Sequence, residues 1–345
     1  MKLLEGATLR RSEVSDCGTR LEPPKAAVGP GNLKFRLLAF RFQFRARNTI
    51  YFPPGRSGNI VRGAFGTIFK QLVCINRCHD SRTCEMRATC PYARIVEPVA
   101  ITAGPSGLRD WPRPFVFRAA HLDGCTIEPG GAFHFDIHLF DLKEPAIVYF
   151  VLAFAQLSTQ GIGPRRGRAS LEGVYQLDSS GNPAACVYDG ATFLMTELPP
   201  PVELNLEQTG EAASRVLVEF LTPTELKHGQ LLATRLDFEV LFGRIRDRLS
   251  TLRALYGEGP LEIDFKGMGE RAAQVQLTRS QLDFTEAERR SARTGERHPL
   301  GGFVGEAEYE GNLGEFLPYL RAAKWIGVGR QTVWGKGVIT HRVLA

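Results

Sequence analysis

Gly327-Val328-Gly329-Arg330-Gln331-Thr332-Val333-Trp334-Gly335-Lys336-Gly337 sets two G-x-G pairs five residues apart, close to the end of the chain. Glycine at this density lets a backbone turn through positive φ, approach another molecule closely and turn its N–H groups toward an anion such as phosphate. Arg330, Gln331, Thr332 and Lys336 add charge and hydrogen-bond donors. The same pattern also fits a glycine-rich hairpin turn, so the surroundings have to decide. Upstream, Asn312 and Glu315 form a capping-box pattern ahead of Leu313, Phe316, Leu317 and Leu320, which predicts a helix running into the loop. A final strand is expected from Gly335.

The same succession occurs earlier. A strongly apolar helix predicted from Pro145 to about Thr159 empties into Gly161-Ile162-Gly163-Pro164-Arg165-Arg166-Gly167-Arg168, and a strand from Ser170 to Asp178 follows. Each copy is preceded by a strand and a helix. In the first, Leu38, Phe40, Phe42 and Phe44 alternate with Arg41, Gln43, Arg45 and Arg47, the signature of a strand with one buried and one basic face. Ile60, Val61, Ala64, Phe65, Ile68, Phe69 and Leu72 then recur at helical spacing from Gly58 to Val73, with Ser57 or Asn59 near the cap. In the second copy, Val216, Val218 and Phe220 mark a strand from Arg215 to Leu221, and a helix spans Leu236 to Tyr256. Short strands are expected near Ile95–Ile101, Pro114–Ala119, Ala273–Leu282 and Gly302–Tyr309, and His134 and His138 share a strand face that fits a ligand set but reads more readily as a solvated face. Read twice, β-α-β-β-α-β predicts an α+β chain of tandem ferredoxin-like (RRM-like) units. The boundaries expected are 33–197 and 213–345, joined by a Pro-rich link at 198–212.

A chain of 345 residues accommodates two domains, and a 43% hydrophobic fraction supports globular folding. Net charge is +6, and Lys supplies only nine of the 43 basic residues. Arg binds phosphate bidentately and stacks on bases, so the bias leans toward nucleic acid, although a high-GC genome produces it too. No apolar run is long enough for a membrane helix. Residues 1–32 lack the apolar core of a signal peptide and read as a disordered leader on a cytoplasmic protein.

Cys74, Cys78, Cys84 and Cys90 are four of the seven cysteines, gathered in a polar, irregular stretch at 74–90. In a cytoplasmic chain such a cluster points to metal ligation rather than disulfides, and four thiolates suit structural Zn²⁺ or an iron–sulfur cluster. His79 is a substitute ligand. No His-Glu pair lies near enough to suggest a metal-activated water.

With its duplicated ferredoxin-like order and terminal glycine spacing, the chain resembles the CRISPR-associated endoribonucleases that process precursor CRISPR RNA, within the repeat-associated mysterious protein (RAMP) superfamily. Cys90-Pro91-Tyr92, the basic loop Gly161 to Arg168, Pro299-Leu300-Gly301-Gly302-Phe303-Val304-Gly305 and Phe316-Leu317-Pro318-Tyr319-Leu320 carry the likeness from residue 34 to 345. The resemblance implies a protein that binds CRISPR repeat RNA and cuts it without a catalytic metal: a 2′-hydroxyl attacks the adjacent phosphorus and leaves a 2′,3′-cyclic phosphate. Subunits of a CRISPR effector complex are implied as further partners. The glycine loops (Gly327, Gly329, Gln331, Thr332, Gly335, Gly337) would then cradle backbone phosphate, with Arg165, Arg166, Arg168, Arg330 and Lys336 as counter-charge.

Such chemistry needs a base, an acid and cations. The family commonly places a histidine near its first helix, yet this chain has none between Phe35 and Val73. His298, in a polar basic loop ahead of Gly301-Gly302-Phe303-Val304-Gly305, is the first candidate. Tyr51 and Arg56, in the loop before the first helix, are the alternative. A RAMP-fold RNA-binding subunit that does not cut is the competing reading. A P-loop or Rossmann enzyme is disfavoured because neither glycine loop follows a strand and opens a helix.

Overall fold

In the computed structural model the first predicted strand, β1 (Lys34–Ala46), is the axis of a seven-stranded antiparallel sheet. The structure describes residues 33–345 apart from 76, 77, 79, 82, 99–110, 230, 287, 291–296 and 300, and for 288–290 and 297–299 the backbone alone. After β1 come α1 (Ser57–Val73), α2 (Pro91–Ile95), β2 (Phe115–Arg118), β3 (Ala132–Leu139), α3 (Ile147–Ala155), α4 (Leu157–Gln160) and β4 (Ala169–Leu177). Spatial order β2-β3-β1-β4 with every pair antiparallel is the ferredoxin arrangement. It extends past β4 through β5 (Pro183–Asp189) and β6 (Leu194–Met195). The second half repeats it: β8 (Arg215–Thr224), α5 (Phe238–Tyr256), α6 (Phe265–Ala272), β9 (Gln276–Thr285), β10 (Gly302–Glu310), α7 (Leu317–Ile326) and β11 (Ile339–Val343), ordered β9-β10-β8-β11.

The Pro-rich stretch expected to be a link is partly sheet. Its strand β7 (Val202–Asn205) pairs with the first four residues of β1, from Lys34↔Asn205 to Leu37↔Val202. Backbone hydrogen bonds therefore tie the stretch to the first half, and residues 33–345 make one compact unit.

Two aromatic-rich cores explain the pattern. Under the first sheet, Phe42, Phe44 and Phe135 meet Phe154, and Phe65 of α1 stacks on Phe150 of α3 at 4.1 Å between ring centroids. Burying side chains of this size contributes roughly 1.5–3 kcal/mol each, enough to hold a helix with no side-chain cap of its own. The opposite face of the sheet is not the solvated basic face the alternation implied. Phe35, Leu37, Ala39 and Val116 join the core of the second half. The arginines beyond them are met by cross-strand partners: Arg41 grips Asp136 through two hydrogen bonds of 2.8 and 2.9 Å, and Arg45 pairs with Glu172.

Further expectations are corrected. Ile95 ends helix α2 instead of opening a strand, and residues 99–101 lie outside the description. The apolar helix breaks into α3 and α4 at Gln156. Asn312 and Glu315 do not form a capping box; Glu315 takes a bidentate Arg271, at 2.6 and 2.8 Å, and Phe316 stands at the cap. No helix among the described residues is long and apolar enough to cross a membrane.

Candidate nucleic-acid interface

The terminal glycine loop folds back across the sequence onto the head of α1. A Cβ on Gly58 would stand 2.6 Å from the Trp334 carbonyl oxygen, so only a bare backbone admits this contact. Alongside, Lys336 Nζ donates to the Gly55 carbonyl at 3.3 Å. The Ser57 N–H, one of the orphan donors of the helix start, donates at 2.8 Å to a carboxylate oxygen of Asp123, 66 positions away. This replaces the Ser57 or Asn59 cap expected from the local sequence. Gly55, Ser57, Asp123, Thr222, Trp334 and Lys336 line a cavity of about 220 Å³ here. Lys336 is only 5% exposed. Burial lowers its ammonium pKa below the usual range, Asp123 partly restores it and Arg56 lowers it further. The Ser57 hydroxyl is buried and unpartnered.

The loop is not an open ring of phosphate-binding amides. Val328 N–H donates to the Gly337 carbonyl, Arg330 N–H to that of Glu225, Gly335 N–H to that of Thr332 and Gly337 N–H to that of Pro223. Gly337, at φ +68°, would set a Cβ 1.9 Å from the Val328 carbonyl oxygen. These glycines are demanded by the fold's own close packing. Gln331 takes a left-handed conformation and Thr332 is buried. Arg330 is committed too, its Nη1 lying 2.5 Å from a Glu225 carboxylate oxygen. Of the charges assigned to this loop, only Lys336 faces the cavity.

The loop's entry is fixed by a collar on the last carbonyls of α7. Arg118 Nη2 donates to Lys324 and Trp325 carbonyls at 3.2 and 3.0 Å, His138 Nδ1 to Trp325 at 2.7 Å and Arg248 Nε to Ile326 at 3.1 Å. Cations at a helix C-terminus satisfy its orphan carbonyls and meet its negative dipole end. Burial, reinforced by Arg248, lowers the Arg118 guanidinium pKa to about 9, and burial lowers that of Arg248 to about 10, so both stay charged at neutral pH. Burial, with Arg118 beside it, lowers the His138 pKa to about 3 and keeps the ring neutral. The predicted His134–His138 face is therefore neither solvated nor a ligand set: His138 is buried against Trp325, and His134 stacks on His121 at 4.5 Å.

The first glycine loop lies farther along α1. Ile162 and Gly167 bridge its ends, and Gly161, Gly163 and Arg166 turn through positive φ. Arg165, Arg166 and Arg168 project into solvent. Between this loop and α1, a groove of about 300 Å³ is lined by Asn59, Gly63, Thr67, Gln160, Gly163 and Arg166. Successive turns of one helix thus border both cavities, Ser57–Gly58 the first and Asn59–Ile68 the second.

Tyr51 lies on a short strand, 36% exposed, with its carbonyl against Gly163, and Arg56 is exposed directly before α1. Tyr51 thus adjoins the first glycine loop and Arg56 the head of α1. His298 sits on a two-stranded ladder opposite Arg289; its side chain lies outside the described residues, as does His79. Cys74 and Cys78 approach to 3.5 Å between sulfurs, and Cys78 lies near Cys84 as well. Among the described residues no three His, Cys, Asp or Glu side chains already surround a common metal position. Asp123, Arg118 and Arg248 were invisible to pattern reading because each acts on a segment distant in sequence, and for the same reason the pattern placed His138 on a strand face without its partner.

Comparison with known proteins bears on the fold that carries these loops. A family model described as an N-terminal domain matches residues 35–201, and that of the CRISPR-associated endoribonuclease Cas6 matches residues 218–339. An uncharacterised protein of Archaeoglobus fulgidus is 25% identical over 315 residues, covering 88% of this chain and all of its own. The Thermus thermophilus Cas6 (TTHB231) product complex superposes with a TM-score of 0.51 at 15% identity, covering 89% of this chain and 99% of that one. A partial Cas6-RT-Cas1–Cas2 complex gives a TM-score of 0.51 at 11% identity over 89% of this chain and 46% of that one. These structures share the fold.

Proposed function

We propose, from the match of residues 218–339 to the Cas6 family model and the fold shared with a Cas6 structure, that this chain is a Cas6-like RAMP protein that binds CRISPR repeat RNA along α1 and cleaves it without a catalytic metal. The observation that carries this reading is that one helix borders both cavities, with buried Lys336 at its head and exposed Arg165, Arg166 and Arg168 at its flank. Exposed guanidinium groups supply sequence-independent phosphate affinity. A cation as deeply buried as Lys336 acts more strongly than an exposed one on charge that develops during reaction.

In the proposed reaction a ribose 2′-oxygen attacks the neighbouring phosphorus and the bond from phosphorus to the 5′-oxygen breaks. The 2′-hydroxyl proton passes to a base, and the departing 5′-oxygen takes one from an acid. The products are a 2′,3′-cyclic phosphate and a 5′-hydroxyl. Lys336 and Arg56 would offset the negative charge of the phosphorane. Tyr51 and His298 are the candidates for proton transfer.

A second reading, an RNA-binding subunit that does not cut, draws on one observation: no histidine is among the residues lining the cavity at the head of α1. Incubating the protein with the repeat RNA of its neighbouring CRISPR array, in EDTA and separately in Mg²⁺, tests both. Cleavage in EDTA with a cyclic phosphate end is expected. Tight binding with intact RNA in both buffers would replace the enzyme with the binding subunit, and cleavage confined to Mg²⁺ would overturn the mechanism. Tyr51→Phe, Arg56→Ala and His298→Ala, each compared for cutting and binding, identify the proton carrier.

A further inference from the structure

We infer that Cys74, Cys78, Cys84 and Cys90 form a four-thiolate site for a thiophilic metal, which serves as the core of the segment between α1 and α2. Exposure in this segment is inverted. Ile75 is 88% exposed and Met86 48%, whereas all four cysteines are partly buried. Among the described residues of 74–90, Ser81 alone is fully buried. Apolar side chains do not hold this segment, and a stretch without its own core needs another staple.

The ligands are placed by regular structure. Cys74 caps the end of α1, its N–H donating to the Lys70 carbonyl at 3.0 Å, and Cys90 caps α2, its carbonyl accepting from Arg94 N–H at 3.1 Å. The Cys74 and Cys78 sulfurs are 3.5 Å apart, and Cys78 N–H donates to Cys74 Sγ at 3.3 Å. That separation is far beyond the ~2.05 Å of a disulfide. It is close to the ~3.75 Å edge of a tetrahedron with ~2.3 Å metal–sulfur bonds. Cys78 lies near Cys84 as well. Ligation brings Cys84 and Cys90, which flank the turn Glu85–Thr89, onto the first pair. Arg87 braces the segment from the other side by donating to the Ser81 and Glu97 carbonyls. This site is remote from the chemistry proposed above, so its metal has a structural role and the two proposals stand or fall separately.

Elemental analysis of full-length protein, purified anaerobically without chelators, should find about one Zn²⁺ per chain, or iron with acid-labile sulfide if a cluster occupies the thiolates; either result supports the site. On the zinc form, a mercurial titration followed with a metal-sensing dye should release all the metal by the time the four ligand thiols and the three other cysteines have reacted, a readout that needs no variant. Cys84→Ser and Cys90→Ser should each lower metal content at least tenfold, and Cys186→Ser should leave it unchanged. Should the variants fail to fold, Co²⁺ titration of metal-stripped wild type keeps the question open to refutation, since four-thiolate ligation gives an intense sulfur-to-cobalt charge-transfer band. Protein that carries neither metal nor takes up Co²⁺ with that band overturns the proposal. So does a metal-free Cys74–Cys78 disulfide in the intact mass, or metal retained at full level in Cys84→Ser and Cys90→Ser.

Discussion

The backbone of Gly58, in the first turn of α1, lies directly against the carbonyl of Trp334, 276 positions later: a methyl group on Gly58 would stand 2.6 Å from that oxygen. The first helix and the terminal glycine loop are joined at this contact. The neighbour is backbone, held by the loop's own hydrogen bonds, and cannot swing aside. Gly58→Ala should therefore cost about 1–3 kcal/mol, the usual scale of overpacking, and reduce RNA cleavage by displacing Lys336. Chemical denaturation and a single-turnover cleavage assay on the same preparation check both effects. Full stability together with full activity would show that the loop docks elsewhere.

Lys336 should matter more for cutting than for holding RNA. Lys336→Met keeps the aliphatic volume in a buried position and removes the charge, so cleavage is expected to fall by about 10²-fold or more, the scale of losing a preorganised electrostatic contact. Repeat-RNA affinity should change only a few-fold. A filter-binding isotherm beside the cleavage time course separates the two. Unchanged cleavage would remove Lys336 from the reaction.

Arg165, Arg166 and Arg168 should set the salt dependence of binding. Each phosphate contact on single-stranded RNA contributes about 0.7 to the slope of log affinity against log salt. Replacing all three with Ala should flatten that slope by up to about 2, with the unfolding midpoint unmoved because the side chains are exposed. The same slope in wild type and variant would place the RNA on another face.

His138 predicts an acid sensitivity. Its folded-state pKa is about 3, against 6.5 ordinarily. Between those values the unfolded chain takes up a proton that the native protein refuses, so native stability is complete above pH 6.5 and declines as pH falls toward 3. The slope from this one group is about 1.4 kcal/mol per pH unit. Urea unfolding at pH 7 and pH 5 should show wild type losing about 2 kcal/mol more than His138→Asn over that interval. Parallel losses would mean that the ring is already charged in the fold.

Much of the architecture was legible in the residues alone, because it depends on local periodicity. The alternation of Phe40, Phe42 and Phe44, the helical spacing from Ile60 to Phe69, and the recurrence of a helix, a glycine-rich loop and a strand in each half specify a doubled ferredoxin-like order before any coordinate is known. Glycine spacing likewise marked the two loops that border α1. Those features are written in neighbouring residues, and short-range sterics reads them.

What tertiary structure decided is how polar groups are used once elements distant in sequence meet. Arg41 looks like part of a basic face until β3 brings Asp136 into register. Arg330 looks like a phosphate ligand until Glu225 takes it, and His138 looks solvated until Trp325 covers it. The capping partner of α1 is Asp123 instead of a local side chain, and the carbonyls that end α7 are collected by Arg118, His138 and Arg248 from three separate elements. Charge and hydrogen-bonding capacity belong to a residue, but their availability depends on which partner arrives within about 3 Å and how much water is left. The sequence by itself determined the order of strands and helices; only the packing of the two halves determined that Lys336, among the loop's charges, faces the cavity at the head of α1.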